Sequence, residues 1–302
     1  MGARQLVVLS GKGGTGKTSI SAALAHLGAS ANGRYEQVFV DADVDAANLS
    51  LVLNPKIDQP NAFMGGGQAF IDADLCIGCG MCATVCRYDA LFPDPKNDLV
   101  YWVDPIACDG CAACVYACPQ GAISMVPQQE GVWFESQTRW GKLFHAELFP
   151  GRENSGKLVT LLRQKAKLAV AGLHAPVIII DGPPGIGCPV ISACSGADMG
   201  LIVSEPGRMG LHDLERVLGV MQHFKIPTLL CINKADISPQ STQAIRDFAE
   251  AQGVEVVGEI PFDMHVPLAM VKAEPVTASF PECDAARAIS LVWQKVMERL
   301  LG

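Results

Sequence analysis

The eight residues Gly11-Lys12-Gly13-Gly14-Thr15-Gly16-Lys17-Thr18 constrain this 302-residue chain more than any other feature. They satisfy G-x4-G-K-T. They follow the short apolar run Gln5 to Leu9, which reads as a strand, and open the alanine- and leucine-rich stretch Thr18 to Ala29, which reads as a helix. That context is what a phosphate loop needs. Glycines let backbone N–H groups turn inward around phosphate oxygens, and the helix start aims its positive dipole end at the same oxygens. Lys17 is expected to reach the terminal phosphates and Thr18 to hold Mg2+.

The rest of the chain extends this opening. Val38-Phe39-Val40 reads as a second buried strand ending at Asp41, which completes a βαβ unit. Near Met64 the pattern changes, and Gly65-Gly66-Gly67 reads as a flexible hinge. A cysteine- and proline-rich stretch follows, to about Pro127, without long periodic apolar segments. After Gly131 the alternation returns, with strands at 132–134, 177–181, 200–203, 227–233 and 254–260. Helices are expected at 156–171, 211–223, 239–252 and 284–301. The fold class is therefore α/β, a doubly wound, mostly parallel sheet with a small inserted α+β module. The expected division is 1–65 and 129–302 for the α/β domain and 66–128 for the insert.

Lys12 narrows the reading. With a second lysine directly after the first glycine, the loop resembles the deviant Walker A family that includes MinD, ParA, the Mrp-type nucleotide-binding proteins and the nitrogenase iron protein. The resemblance implies that Lys12 reaches across a dimer interface to ATP held by a partner subunit. Asp41-Ala42-Asp43 resembles that family's first switch, with Asp43 orienting the attacking water and Asp41 supporting Mg2+. Asp181-Gly182-Pro183-Pro184-Gly185 resembles the second switch, with Asp181 at the Mg2+ site. Acids at the carboxyl ends of central strands lie where open α/β sheets bind ligands. Asn233-Lys234-Ala235-Asp236 has the N-K-x-D form that can read guanine, but in the resembled family the asparagine faces adenine and Ile260-Pro261-Phe262 helps enclose it. The expected nucleotide is ATP, bound by residues 11–18 with Asn233 and Pro261.

Eight of the twelve cysteines lie between Cys76 and Cys118. Cys76, Cys79, Cys82 and Cys86 spell C-x2-C-x2-C-x3-C; Cys108, Cys111, Cys114 and Cys118 repeat it, followed by Pro119. Thiolates at these intervals wrap 4Fe–4S clusters, and in two-cluster ferredoxins the fourth cysteine of each run reaches the other cluster. By that logic Cys76, Cys79, Cys82 and Cys118 hold one cluster, and Cys86, Cys108, Cys111 and Cys114 hold the other. A structural zinc site, which takes four ligands commonly as two separated pairs, fits two complete runs less well. The first run carries Arg87 where the second has its proline. Cys188 follows Asp181 at the interval of the iron protein's cluster-binding cysteine, which raises a dimer-bridging cluster with Cys194 as a conceivable second ligand.

The formal net charge of -8 argues against nucleic acid as the main partner. No stretch approaches the roughly 20 apolar residues that span a bilayer. A cytoplasmic chain without stable membrane insertion is expected. The combined resemblance implies an ATPase, as a homodimer or paired with a related ATPase, that couples nucleotide-driven dimer changes to electron transfer with a protein partner. Iron–sulfur or metallocluster assembly of the Mrp type is the alternative, and a MinD- or ParA-like positioning ATPase the third reading.

Overall fold

The computed structural model describes residues 2–31, 36–152, 154–207 and 209–302. It divides into two compact units. The first comprises Met1–Asn61, Trp133–Glu147 and Ser155–Gly302; the second comprises Ala62–Val132 and Leu148–Asn154.

The strands in chain order are β1 (Arg4–Ser10), β2 (Glu36–Asp41), β3 (Asn61–Ile71), β4 (Leu91–Asp94), β5 (Asn97–Val103), β6 (Ile123–Thr138), β7 (Gly141–Leu148), β8 (Pro176–Pro184), β9 (Met199–Ser204), β10 (Thr228–Asn233) and β11 (Glu255–Ile260). The helices are α1 (Lys17–Ala29), α2 (Leu49–Leu53), α3 (Met81–Val85), α4 (Ala113–Ala117), α5 (Ser155–Ala169), α6 (Cys188–Cys194), α7 (Gly210–His223), α8 (Pro239–Ala251), α9 (His265–Val271), α10 (Val276–Ser279) and α11 (Asp284–Leu301).

In the first unit the strand order runs β11-β10-β9-β1-β8-β2-β7-β6. The pairings from β11 through to β7 are parallel. β1 is central and buried along almost its whole length, as expected for a strand covered on both faces. Its Leu6 and Val8 join a core with Ile20 and Leu24 of α1, Leu49 and Val52 of α2, and Ile289, Val292 and Val296 of α11. Val7 points the other way. It approaches Gly200, where an added Cβ would strike the Met221 side chain of α7. The sheet is thus layered on both sides, and its β1, β8 and β2 ends deliver Ser10, Asp181 and Asp41 to one edge.

β7 was not legible as a strand, because Lys142, His145 and Glu147 interrupt its apolar positions. It forms by pairing in parallel with β2, Phe39 opposite Leu143. Its His145 is buried, stacked on Phe134 with ring centroids 4.9 Å apart, and shares a 3.0 Å hydrogen bond with Ser136 Oγ.

In the second unit the 65–67 glycines do not form the hinge expected of them. They lie inside β3, and their missing side chains make room for neighbours. A Cβ at Gly65 or Gly66 would collide with the Glu130 carboxylate, which also accepts a 2.6 Å hydrogen bond from Asn154. β3 neighbours β6, and β4 pairs antiparallel with β5. A small core of Ala69, Cys82, Leu91, Cys114 and Ile123 joins these strands to α3 and α4. Two of its five members are cysteines, so this unit is poor in ordinary apolar packing.

Burial pushes His145 down to about 4 from its ordinary 6.5. The unfolded chain therefore binds a proton that the folded chain resists. The stability tied to neutral His145 is present above pH 6.5 and is lost as pH falls toward 4. Denaturant titrations should show that loss in the native sequence and a clearly flatter profile in His145→Gln; equal slopes would contradict the assignment.

Candidate functional site: a phosphate loop and two cysteine-lined hollows

The loop between β1 and α1 takes the shape its glycines allow. Gly14 and Gly16 have φ of 81° and 90°, in the left-handed region that other residues enter at a cost. Gly11 is fixed for another reason: a Cβ there would overlap the backbone of Asp213 in the first turn of α7. At Gly13 and Gly14 nothing lies within 4 Å of a would-be Cβ, so the loop is open on that side. Thr15 Oγ1 is buried and has no hydrogen-bond partner among the described residues. An open loop and a buried polar atom short of a partner both fit an anion with several oxygens.

α1 closes on the sheet through Asp181. Lys17 Nζ sits 3.1 Å from Asp181 Oδ1, Ser21 Oγ donates to the same oxygen at 2.9 Å, and Thr18 Oγ1 donates to Oδ2 at 2.8 Å. Asp41 lies opposite Asp181 in the β2–β8 register and is fully buried. Burial, with the adjacent Asp181 carboxylate adding to it, pushes Asp41 up to about 8 despite N–H donation from Leu49 and Asp43. Asp43 is shifted up in the same direction, chiefly by burial, against the opposing pull of Lys17. Two buried carboxylates and a hydroxyl converge where a divalent cation would relieve their mutual repulsion. The residues present therefore fit Mg2+, with Thr18, Asp41 and Asp181 as the group that would hold it.

The N-K-x-D stretch is fastened to the loop. Asn233 Nδ2 donates to Thr15 O at 2.7 Å, and a Cβ at Gly16 would strike that amide. Lys234 Nζ donates to Gly14 O at 3.1 Å and pairs with Glu205 Oε2 at 2.7 Å. Asp236 Oδ1 accepts the Phe262 N–H at 2.6 Å and so pins the turn after Pro261. Lys12 Nζ pairs with the other oxygen of Glu205, also at 2.7 Å. Sequence reasoning missed Glu205, since nothing in Ser204-Glu205-Pro206 signals a carboxylate shared between two distant lysines.

The second unit carries the cysteines. One hollow is lined by Cys76, Cys79, Cys82 and Cys118, with Ile71, Tyr101 and Ile123 among its walls. A second is lined by Cys86, Cys108, Cys111 and Cys114, with Ala69, Leu91 and Val103. Each run thus sends its fourth cysteine to the hollow of the other run. The exchange follows from α3 and α4, which end at Cys86 and Cys118 and turn both residues into extended backbone. Ala90 N donates to Cys86 Sγ at 3.4 Å and Ala122 N to Cys118 Sγ at 3.3 Å. All eight are free of disulfides. Among the described residues, the one trio of His, Cys, Asp or Glu donors gathered within 4.8 Å is Asp263, His265 and Cys283. Four thiols line each hollow, a donor set that would fit an all-thiolate iron–sulfur cubane.

Cys188 is exposed at the start of α6. Cys194, the conceivable second ligand, is fully buried against Met221 Sδ, and burial pushes its thiol up to about 11. It is a core residue and unavailable to a cluster. No described helix is long and apolar enough to cross a membrane.

Residues 6–276 match the family described as the CobQ/CobB/MinD/ParA nucleotide binding domain. An uncharacterized protein of Methanocaldococcus jannaschii is 32% identical over 98% of this chain and 96% of its own length. A protein of Oltmannsiellopsis viridis designated a septum site-determining protein MinD is 26% identical, over 90% of this chain and 69% of its own. An iron-sulfur cluster carrier protein of Aquifex aeolicus is 27% identical over 40% of this chain and 37% of its own. The septum site-determining protein MinD of Pyrococcus horikoshii, solved with Mg-ADP, shares the fold, with a TM-score of 0.59, 19% identity and coverage of 97% of this chain and 96% of its own.

Lys17→Ala would leave the buried Asp181 without its counter-charge. Denaturant unfolding without added nucleotide should show a loss of about 3 kcal/mol. A loss under about 1 kcal/mol would show that the two hydroxyl donors suffice.

Proposed function

The chain belongs to the CobQ/CobB/MinD/ParA nucleotide-binding family, and from that premise we propose that it is an ATP-hydrolysing iron–sulfur protein in which nucleotide-driven dimer changes are coupled to electron transfer with a protein partner. The observation that carries this reading is the arrangement of eight cysteines around two hollows, four to each, with the fourth cysteine of each run exchanged. Bound 4Fe–4S clusters would supply one-electron redox chemistry there. Cys76, Cys79, Cys82 and Cys118 would hold one, and Cys86, Cys108, Cys111 and Cys114 the other.

In the first unit, backbone N–H groups of Gly13 to Lys17 receive the phosphates, Lys17 neutralises the terminal ones, and Thr18, Asp41 and Asp181 hold Mg2+. Asp43 orients the attacking water. Phosphoryl transfer needs little beyond such positioning and charge neutralisation. Lys12 reaches the nucleotide of the partner subunit, either a second copy or a related ATPase. Adenine is favoured over guanine because in the resembled deviant Walker A family the asparagine of this stretch faces adenine. Asn233 and Pro261 border the base.

Two further readings have specific support. Cys79 and Cys111 are exposed, which suits handing clusters to an apo target, and the partial likeness to an iron-sulfur cluster carrier protein points the same way. The longer likeness to MinD-designated proteins supports a positioning ATPase equally well. A dimer-bridging cluster would have to rely on the exposed Cys188 of each subunit.

Redox titration under anaerobic conditions discriminates among these. The electron-transfer reading predicts a change in cluster midpoint potential, and in the rate of electron transfer to a cognate partner, when a non-hydrolysable ATP analogue and Mg2+ are added. If both stay the same, the coupling is wrong. Clusters that pass to an apo target would favour the carrier reading.

A further inference from the structure

Glu205 immediately follows β9 and holds two lysines on one carboxylate. Lys12 Nζ lies 2.7 Å from Oε1 and Lys234 Nζ 2.7 Å from Oε2. The two lysines are not equivalent. Lys234 has a second anchor, the Gly14 carbonyl at 3.1 Å, and belongs to the bracing that Asn233 completes at Thr15 O. Lys12 has Glu205 as its one ion-pair partner among the described residues, and its side chain is 40% exposed against 16% for Glu205.

The charges make Lys12 the removable member. The trio carries two positive charges and one negative. Withdrawing Lys12 leaves Glu205 and Lys234 as a neutral pair, so the sheltered carboxylate is not stranded and the usual penalty for breaking such a pair is avoided. The backbone of Lys12 is held in place meanwhile. Ser10 Oγ donates to Lys12 O at 2.9 Å, and Gly11 is packed against Asp213. Release therefore needs only rotation of a half-exposed side chain, on the timescale of rotamer exchange rather than of loop refolding.

We propose that Glu205 is a positioning residue that parks Lys12 within its own chain and surrenders it to the triphosphate bound by a partner subunit. The inference rests on the reading of Lys12 given under Proposed function. A single carboxylate competes poorly with a triphosphate but well with bare water, so dimer closure becomes contingent on a phosphate-rich ligand in the partner. Lys234 keeps the loop braced whichever way Lys12 points.

The test uses the full chain, purified anaerobically, with dimerisation followed by sedimentation in a non-hydrolysable ATP analogue and Mg2+, and binding of a fluorescent ATP analogue measured separately on the monomer. Glu205→Gln keeps an acceptor for Lys234 and removes the charge that competes for Lys12. It should lower the protein concentration needed for dimerisation about three- to ten-fold, the range expected when two half-exposed ion pairs no longer have to break. Monomer affinity for the nucleotide should change less than about two-fold. Glu205→Asp should return dimerisation toward the native value, and Glu205→Gln combined with Lys12→Ala should behave as Lys12→Ala alone. An unchanged or weakened dimer in Glu205→Gln, or an added effect in the double variant, would overturn the role of Glu205 while leaving Lys12 in place. Native-like dimerisation by Lys12→Ala would instead remove the cross-subunit role of Lys12 on which it rests.

Discussion

A carboxylate buried at the end of a central strand must be met by donors, and Asp181 is met by three from one helix: the ammonium of Lys17 and the hydroxyls of Thr18 and Ser21. That cluster fixes where α1 begins, and so where the phosphate loop must turn. It also accounts for Asp41, which sits in register beside Asp181 and is driven toward its protonated form by burial and by that neighbour. The same crowding that is unfavourable between two acids becomes favourable once a divalent cation lies between them. Loop, helix and the paired carboxylates are therefore one electrostatic arrangement.

How much of this was legible in the sequence depended on whether the signal was local. The strand–loop–helix opening, the acids that end β2 and β8, and the terminal helix from Asp284 to Leu301 all announce themselves within a dozen residues, because glycine conformation, helix dipole and apolar periodicity act over that range. The doubled cysteine run is local in the same sense. Interactions between distant segments were not legible. Gly65 to Gly67 looked like a hinge because three glycines carry no preference of their own; they are extended because β3 pairs with β6, and Glu130 fills the space beside Gly65 and Gly66. β7 is a strand because β2 offers it a ladder, despite its mixed composition. Glu205 joins residues from the phosphate loop, the end of β9 and the end of β10, and no single stretch could have shown it. Cys194, conceivable as a second ligand beside Cys188, is a core residue by burial.

The two units solve the problem of holding shape by different physics. The first relies on a broad sheet with apolar layers on both faces. The second has a small cluster of Ala69, Leu91 and Ile123 with Cys82 and Cys114, two cysteines that also line the hollows. For so small a core, ligand bonds would contribute to folding as well as to redox chemistry. Short helices α3 and α4 and the extended residues that end them are what direct Cys86 and Cys118 across to the opposite quartet.

The proposed function requires one polypeptide to combine a triphosphate cradle with two cubane sites. The most direct measurement is the metal and acid-labile sulfide content of the protein purified without oxygen. About eight irons and about eight sulfides per chain, with the brown absorption of iron–sulfide bonds, is the predicted result. A preparation that holds zinc, lacks sulfide and is colourless would contradict it.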